Sequence, residues 1–171
     1  MGVNGLALAT DGNFYGATQM GGENNQGTVF KFTPSGTLTT MHSFNGLDGS
    51  EPWAAPIQTT NGILYGTTAE GGSSDPPCEN GCGTIYSLDI GLGAFVTFVH
   101  AAGRVGQTGG ILGQGFTGTT SVMLNGIPVN FTVVSDTFIK ATVPPGATTG
   151  YVTVTTPTGV LTSNVPFHVI P

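Results

Sequence analysis

Short runs of alternating apolar and polar residues, broken by glycine-rich turns, organise this chain. Thr28-Val29-Phe30-Lys31-Phe32 has the period of a strand with one buried face. Leu6 to Ala9 predicts a strand, Asp11-Gly12 a hairpin turn, and Asn13 to Thr18 the return strand. Gly21 to Gln26 reads as a loop, Pro34-Ser35-Gly36 as a turn, and Leu38 to Phe44 as a fourth strand. No stretch carries a helical apolar stripe of useful length, so the predicted class is all-β.

This pattern occurs twice. Thr10-Asp11-Gly12-Asn13-Phe14-Tyr15-Gly16-Ala17-Thr18 returns fifty residues on as Thr60-Asn61-Gly62-Ile63-Leu64-Tyr65-Gly66-Thr67-Thr68. Gly21-Gly22 returns as Gly71-Gly72, and after an insertion Gly27-Thr28-Val29-Phe30 returns as Gly83-Thr84-Ile85-Tyr86. A repeat of this length is a unit that cannot bury its own face and stacks on its neighbours. Four strands in 45–50 residues is the arithmetic of a propeller blade, with Phe95 to His100 as the last strand of the second copy. A closed propeller needs about 4–8 blades, so two leave open strand edges.

From residue 107 the pattern changes. Ser121 to Asn125, Val129 to Val133, Phe138 to Val143, Tyr151 to Val154 and Phe167 to Val169 read as short strands. Asn-Gly, Ser-Asp, Pro-Pro-Gly and Pro-Thr-Gly separate them, which is the spacing of a β-sandwich. The expected organisation is two propeller-blade-like four-stranded repeats over 3–100 (about 3–50 and 51–100), a linker at 101–106, and an Ig-like sandwich over 107–171.

Charged residues make up 7% of the chain, against about 25% in ordinary soluble domains. Disordered chains are highly charged and poor in apolar residues, and this one is neither. Net charge is −6, with Lys31, Arg104 and Lys140 the only Lys or Arg residues. No basic patch for DNA, RNA or an anionic membrane can be built from these. No apolar run approaches the roughly 20 residues of a membrane-spanning helix. Met1 opens neither a basic n-region nor an apolar h-region. It is read as the start of a fragment whose upstream sequence is absent, the alternative being a native cytoplasmic start.

Cys78-Glu79-Asn80-Gly81-Cys82 lies in the insertion of the second copy. The spacing is not the C-x-x-C of a redox pair, and no His lies near enough to complete a zinc site. A loop disulfide between Cys78 and Cys82 in an oxidising compartment is the favoured reading, with two free thiols as the alternative.

Asp48 and Glu51, beside the single Trp53, form the most suggestive carboxylate pair. Glycoside hydrolysis uses two carboxylates, and aromatic faces receive sugars. The plainer reading makes Asp48-Gly49 a turn, leaves Glu51 exposed and puts Trp53 in the core. Tyr15 and Tyr65 share one repeat position and are candidate ligand contacts, against a plainer role as core between copies. Asp11-Gly12-Asn13 lacks the alternating carboxylates of a calcium loop, and His42, His100 and His168 have no partner at ligand spacing. There is no Gly-x-Ser-x-Gly elbow, and Gly113-x-Gly115 lacks the context of a dinucleotide fingerprint. Asn130-Phe131-Thr132 fits a glycosylation sequon. No catalytic residue, metal ligand or cofactor is therefore assigned.

Two resemblances follow from these motifs. Ile111-x-Gly113-x-Gly115-Phe116, Val122-x-Leu124-Asn125-Gly126, Ala141-Thr142-Val143-Pro144 and Gly150-x-Val152-x-Val154 resemble the IPT/TIG domain, an Ig-like fold. Gly109 departs from that family, which has an apolar residue there. Asp11-Gly12-Asn13-Phe14-Tyr15-Gly16 and Gly27-Thr28-Val29-Phe30-Lys31 are similar to the GloVer tandem repeats of bacterial surface or secreted proteins. The resemblance implies an extracellular, surface-associated protein and supplies no catalytic residues. The expected function is a non-enzymatic structural or adhesive module. A carbohydrate-binding accessory module is the second reading, and a hydrolase fragment a distant third. Expected partners are other repeats of the same protein, self-association through open strand edges, or a polysaccharide or surface protein.

Overall fold

A computed structural model describes residues 3–73 and 78–171. It divides into two compact units, one of residues 1–59 with 63–92, the other of 60–62 with 93–171.

In the first unit β1 (Val3–Leu8), β2 (Phe14–Thr18), β3 (Thr28–Phe32) and β4 (Leu38–Ser43) form an antiparallel meander in chain order. Asp11 makes the first hairpin, its carboxylate accepting from the Asn13 backbone and side-chain amides at 3.1 and 2.7 Å. Gly12, at φ +77°, supplies the left-handed residue that such a turn needs. The second copy forms β5 (Ile57–Gln58), β6 (Leu64–Thr67) and β7 (Ile85–Leu88), again in chain order. Among the described residues this sheet holds three strands, where the sequence predicts four.

The remaining strands belong to the second unit. They are β8 (Thr97–Phe98), β9 (Ala102–Arg104), β10 (Thr108–Leu112), β11 (Ser121–Leu124), β12 (Ile127–Pro128), β13 (Asn130–Ser135), β14 (Phe138–Thr142), β15 (Val152–Thr156), β16 (Gly159–Thr162) and β17 (His168–Ile170). One sheet runs β13-β14-β10-β8 and another β12-β11-β15-β16, while β9 and β17 pair in parallel. Alternating residues meet in one core, among them Ile111, Phe116, Val122, Leu124, Ile139 and Val154. Ig-like packing follows from these short two-faced strands.

Two expected boundaries move. The stretch Phe95 to His100 does not close the second copy. Val96 is buried in the sandwich core, and Phe98 pairs with Ile111. The linker expected at 101–106 holds β9, which pairs with the chain's last strand. The sandwich unit thus starts at residue 93 rather than 107. Gly109 does not break β10. It pairs with Ala141, and the Phe138 ring covers the neighbouring Gly110.

Candidate functional site

The turn that leaves the first copy carries the carboxylate pair. Asn45 Oδ1 accepts from the Leu47 and Asp48 amides, and Asp48 Oδ1 accepts from the Asn45 amide at 2.9 Å. Asp48 Oδ2 lies 2.8 Å from His42 Nε2, whose ring stands edge-on to Phe44. Asp48 is therefore occupied on both oxygens by the turn and the histidine.

Glu51 sits at φ +52°, held by hydrogen bonds from its amide to Gln26 O and to its carbonyl from the Ala69 amide. Its side chain accepts from Trp53 Nε1 at 3.4 Å. Trp53 is 61% exposed, not core. Its neighbours Pro52 and Pro56 are the fully buried residues of this segment, and the indole between them is turned outward. Asp48 and Glu51 thus reach different partners, one His42 and the other Trp53.

Tyr15 and Tyr65 are placed differently despite their shared position. Tyr15 is buried, and its hydroxyl donates to Asp11 Oδ2 at 2.8 Å. Burial first, and then the Asp11 carboxylate, push the Tyr15 phenol well above its ordinary value. Burial would raise the Asp11 carboxyl, but hydrogen bonds from Asn13 and Tyr15, with Lys31 Nζ at 3.6 Å, outweigh it and hold it low. The second copy has Asn61 for Asp11, and Tyr65 is half-buried. Sequence reasoning passed over Tyr86, whose hydroxyl is buried without a partner among the described residues. Burial raises its phenol to about 12. The signal was available, since Tyr86 aligns with Phe30 and adds one oxygen to an apolar position.

Cys78 and Cys82 are joined as a disulfide, with Cα atoms 5.2 Å apart. Within the loop they close, the Asn80 carbonyl accepts from the Gly71 amide at 2.8 Å. The bridge therefore braces the Gly71-Gly72 corner of the second copy. Among the described residues no group of three or more His, Cys, Asp or Glu is placed to hold a metal ion, and no helix is long and apolar enough to cross a membrane.

No curated protein matches the chain. A solved copper-containing fungal alcohol oxidase of the AA5 family is similar at 15% identity and a TM-score of 0.37. That match covers 99% of this chain and 42% of the oxidase, and a score this low says nothing of fold or chemistry. The IPT/TIG domain model matches residues 96–169, the span of the sandwich strands. The Gloeobacter/Verrucomicrobia repeat model matches residues 2–122, across both copies of the glycine–aromatic unit. This chain belongs to the Gloeobacter/Verrucomicrobia repeat family and carries an IPT/TIG domain behind its repeats.

Proposed function

We propose that the chain is a non-catalytic, extracellular structural and adhesive module of a repeat-containing surface or secreted protein. One observation carries the reading: three of the carboxylates that chemistry could use are spent on architecture. Asp11 and Asp48 hold turns in the repeats, and Asp136 holds a loop of the sandwich. The Cys78–Cys82 disulfide supports an oxidising compartment.

Adhesion is assigned to the exit turn, where Leu47 and Trp53 stand exposed a few residues apart. The test is adsorption of the purified chain to bacterial cell-wall preparations, run beside assays on chromogenic glycosides, esters and peptides. Adsorption weakened by Trp53→Ala, with no turnover, is the expected result. Turnover lost in Asp48→Asn or Glu51→Gln would overturn the non-catalytic reading.

Carbohydrate binding is the second reading, favoured by the exposed indole held beside a carboxylate. Trp53 is the only tryptophan, so its fluorescence reports on this site alone. A saturable change on titration with soluble polysaccharide, abolished by Trp53→Ala, is expected under this reading. No response to any polysaccharide leaves the structural role.

A further inference from the structure

Strand register sorts each repeat into two faces. In the first copy Ala7, Tyr15, Ala17 and Val29 lie on one face, and Leu6, Phe30, Phe32 and Leu38 on the other. In the second copy the corresponding faces carry Ile57, Tyr65 and Ile85, and Leu64, Tyr86 and Leu88. The copies meet in one sense only, the Tyr15 face of the first lying on the Leu64 face of the second. Ala9, Tyr15 and Leu64 form one buried cluster with Leu88 against it, and Val29 lines a small cavity with Phe44 and Tyr86. Val29 is accordingly 0% exposed, while its counterpart Ile85 is 81% exposed.

The exit turn of the first copy seals this junction. Gly72 N–H donates to Gly46 O at 2.9 Å, and Thr84 Oγ1 donates to Asp48 O at 2.9 Å. Ser50 and Glu70 exchange both backbone hydrogen bonds, at 2.8 and 3.2 Å. Gly49 has no room for a side chain here, since a Cβ would stand 2.6 Å from Thr68 Cγ2.

The first copy presents the same receptor. Met20, Gly22 and Thr28 stand where Glu70, Gly72 and Thr84 stand in the second. A Cβ on Gly22 would come 2.8 Å from Thr28 Cγ2, and one on Gly72 would come 2.9 Å from Thr84 Cγ2, so the corners match in shape. Among the described residues the Gly22 amide and the Met20 backbone have no hydrogen-bond partner, and the Thr28 hydroxyl meets only Thr18. An apolar groove lined by Leu6, Met20, Phe30, Phe32 and Leu38 adjoins them.

From this equivalence we infer that the Leu6–Phe30–Leu38 face of the first copy is a docking site for a further repeat of the same kind. The incoming repeat brings an aromatic and β-branched face and an exit turn of the Asn-Gly-x-Asp-Gly-Ser type. Its carbonyls accept from Gly22 N–H and Thr28 Oγ1. The assignment rests on the structural reading above and extends an interface already present in the chain. A second molecule of this chain fits less well. Its Ile57–Tyr65–Ile85 face is followed in the chain by sandwich strand β8, and no Asn-Gly-x-Asp-Gly-Ser turn comes after it. Leu8 stands where Gln58 bonds to Thr10, so that corner of the new junction is apolar.

The test places a tandem duplicate of residues 1–50 ahead of the whole chain, keeping the 50-residue period. Amide hydrogen exchange at the original Gly22 is the readout. Exchange at least about tenfold slower than in the parent chain is expected, as for an amide newly hydrogen-bonded in a packed junction. Gly49→Ala in the added copy should reverse the slowing. So should Leu38→Lys in the original copy, which alters an exposed side chain and leaves the parent fold intact. Unchanged exchange at Gly22 in the duplicated chain overturns the proposal. Slowing that depends on protein concentration in the parent chain also overturns it, in favour of a second molecule. Slowed exchange together with catalytic turnover would sink the non-catalytic reading and leave the docking site standing.

Discussion

The ring of Phe30 occupies the space where a side chain on Gly16 would be. The two residues face each other across β2 and β3, and a Cβ on Gly16 would come 2.9 Å from Phe30 Cε1 and closer still to the ring tip. Gly66 and Tyr86 repeat the relationship across β6 and β7. Glycine recurs in Tyr-Gly-x-Thr because the tip of the cross-strand aromatic ring fills the place of a Cβ there. Gly16→Ala forces Phe30 off its position, and overpacking of this kind costs about 1–3 kcal/mol. The urea midpoint should fall accordingly, and Phe30→Leu in the same chain should restore part of it. A Gly16→Ala variant as stable as the parent would refute the packing role.

Much of this was legible in the sequence, because it is local. The Asp11-Gly12 hairpin, the strand after it and the Gly-Thr-Val-Phe strand each follow from turn chemistry and period-two alternation. The sandwich strands around Val122, Phe131, Ile139 and Val154 follow in the same way. What was not legible is which sheet a short strand joins. Phe95 to His100 is as rich in aromatic and β-branched residues as any strand here, yet Val96 packs among Ile111 and Phe116 of the sandwich. Alternation says that a strand has two faces and is silent about the neighbour. Trp53 fails for a related reason, since size and apolarity favour burial but Pro52 and Pro56 are the buried residues of that segment.

The paired threonines separate repeat geometry from junction energetics. Thr18 and Thr28 hydroxyls meet at 2.8 Å and Thr68 and Thr84 hydroxyls at 2.9 Å, so both copies have this pair. Only Thr84 also donates to the Asp48 carbonyl of the exit turn. Thr84→Val leaves that carbonyl unpaired, which costs about 1–3 kcal/mol, while Thr28→Val loses one exchangeable bond worth about 1 kcal/mol or less. Chemical denaturation of the two variants should rank them in that order. Equal losses would mean that the exit turn contributes nothing measurable to the junction.

Reduction of the disulfide should act on one unit only. The Cys78–Cys82 bridge closes a very short loop, which the chain-entropy model values at about 2 kcal/mol. Its loop supports the repeat through the Asn80 carbonyl and the Gly71 amide, and both residues belong to the first unit. A Cys78→Ser, Cys82→Ser chain should therefore show faster amide exchange around Gly71 and Gly72, with Ile139 and Val154 unchanged. Loss of protection in the sandwich as well would show that the two units unfold together.

Acid should weaken the sandwich through Asp136. Its carboxylate accepts from the Thr117 amide at 3.1 Å and the Gly115 amide at 3.2 Å, and its own carbonyl accepts from the Phe116 amide. These bonds fix the loop that delivers Phe116, fully buried, into the core. Hydrogen bonding from Thr117 above all, then from Gly115, holds the carboxyl below its ordinary value despite a small opposing effect of burial. A depressed carboxylate stabilises the fold above the unfolded value, near 4, and loses that contribution as pH falls through the folded value. Asp136→Asn cannot titrate, so its melting temperature should sit below that of the parent from pH 5 to 7. The gap should close as the pH is lowered toward 2. A gap that stays constant across this range would show that the charge on Asp136 plays no part, and that only the shape of the side chain holds the loop.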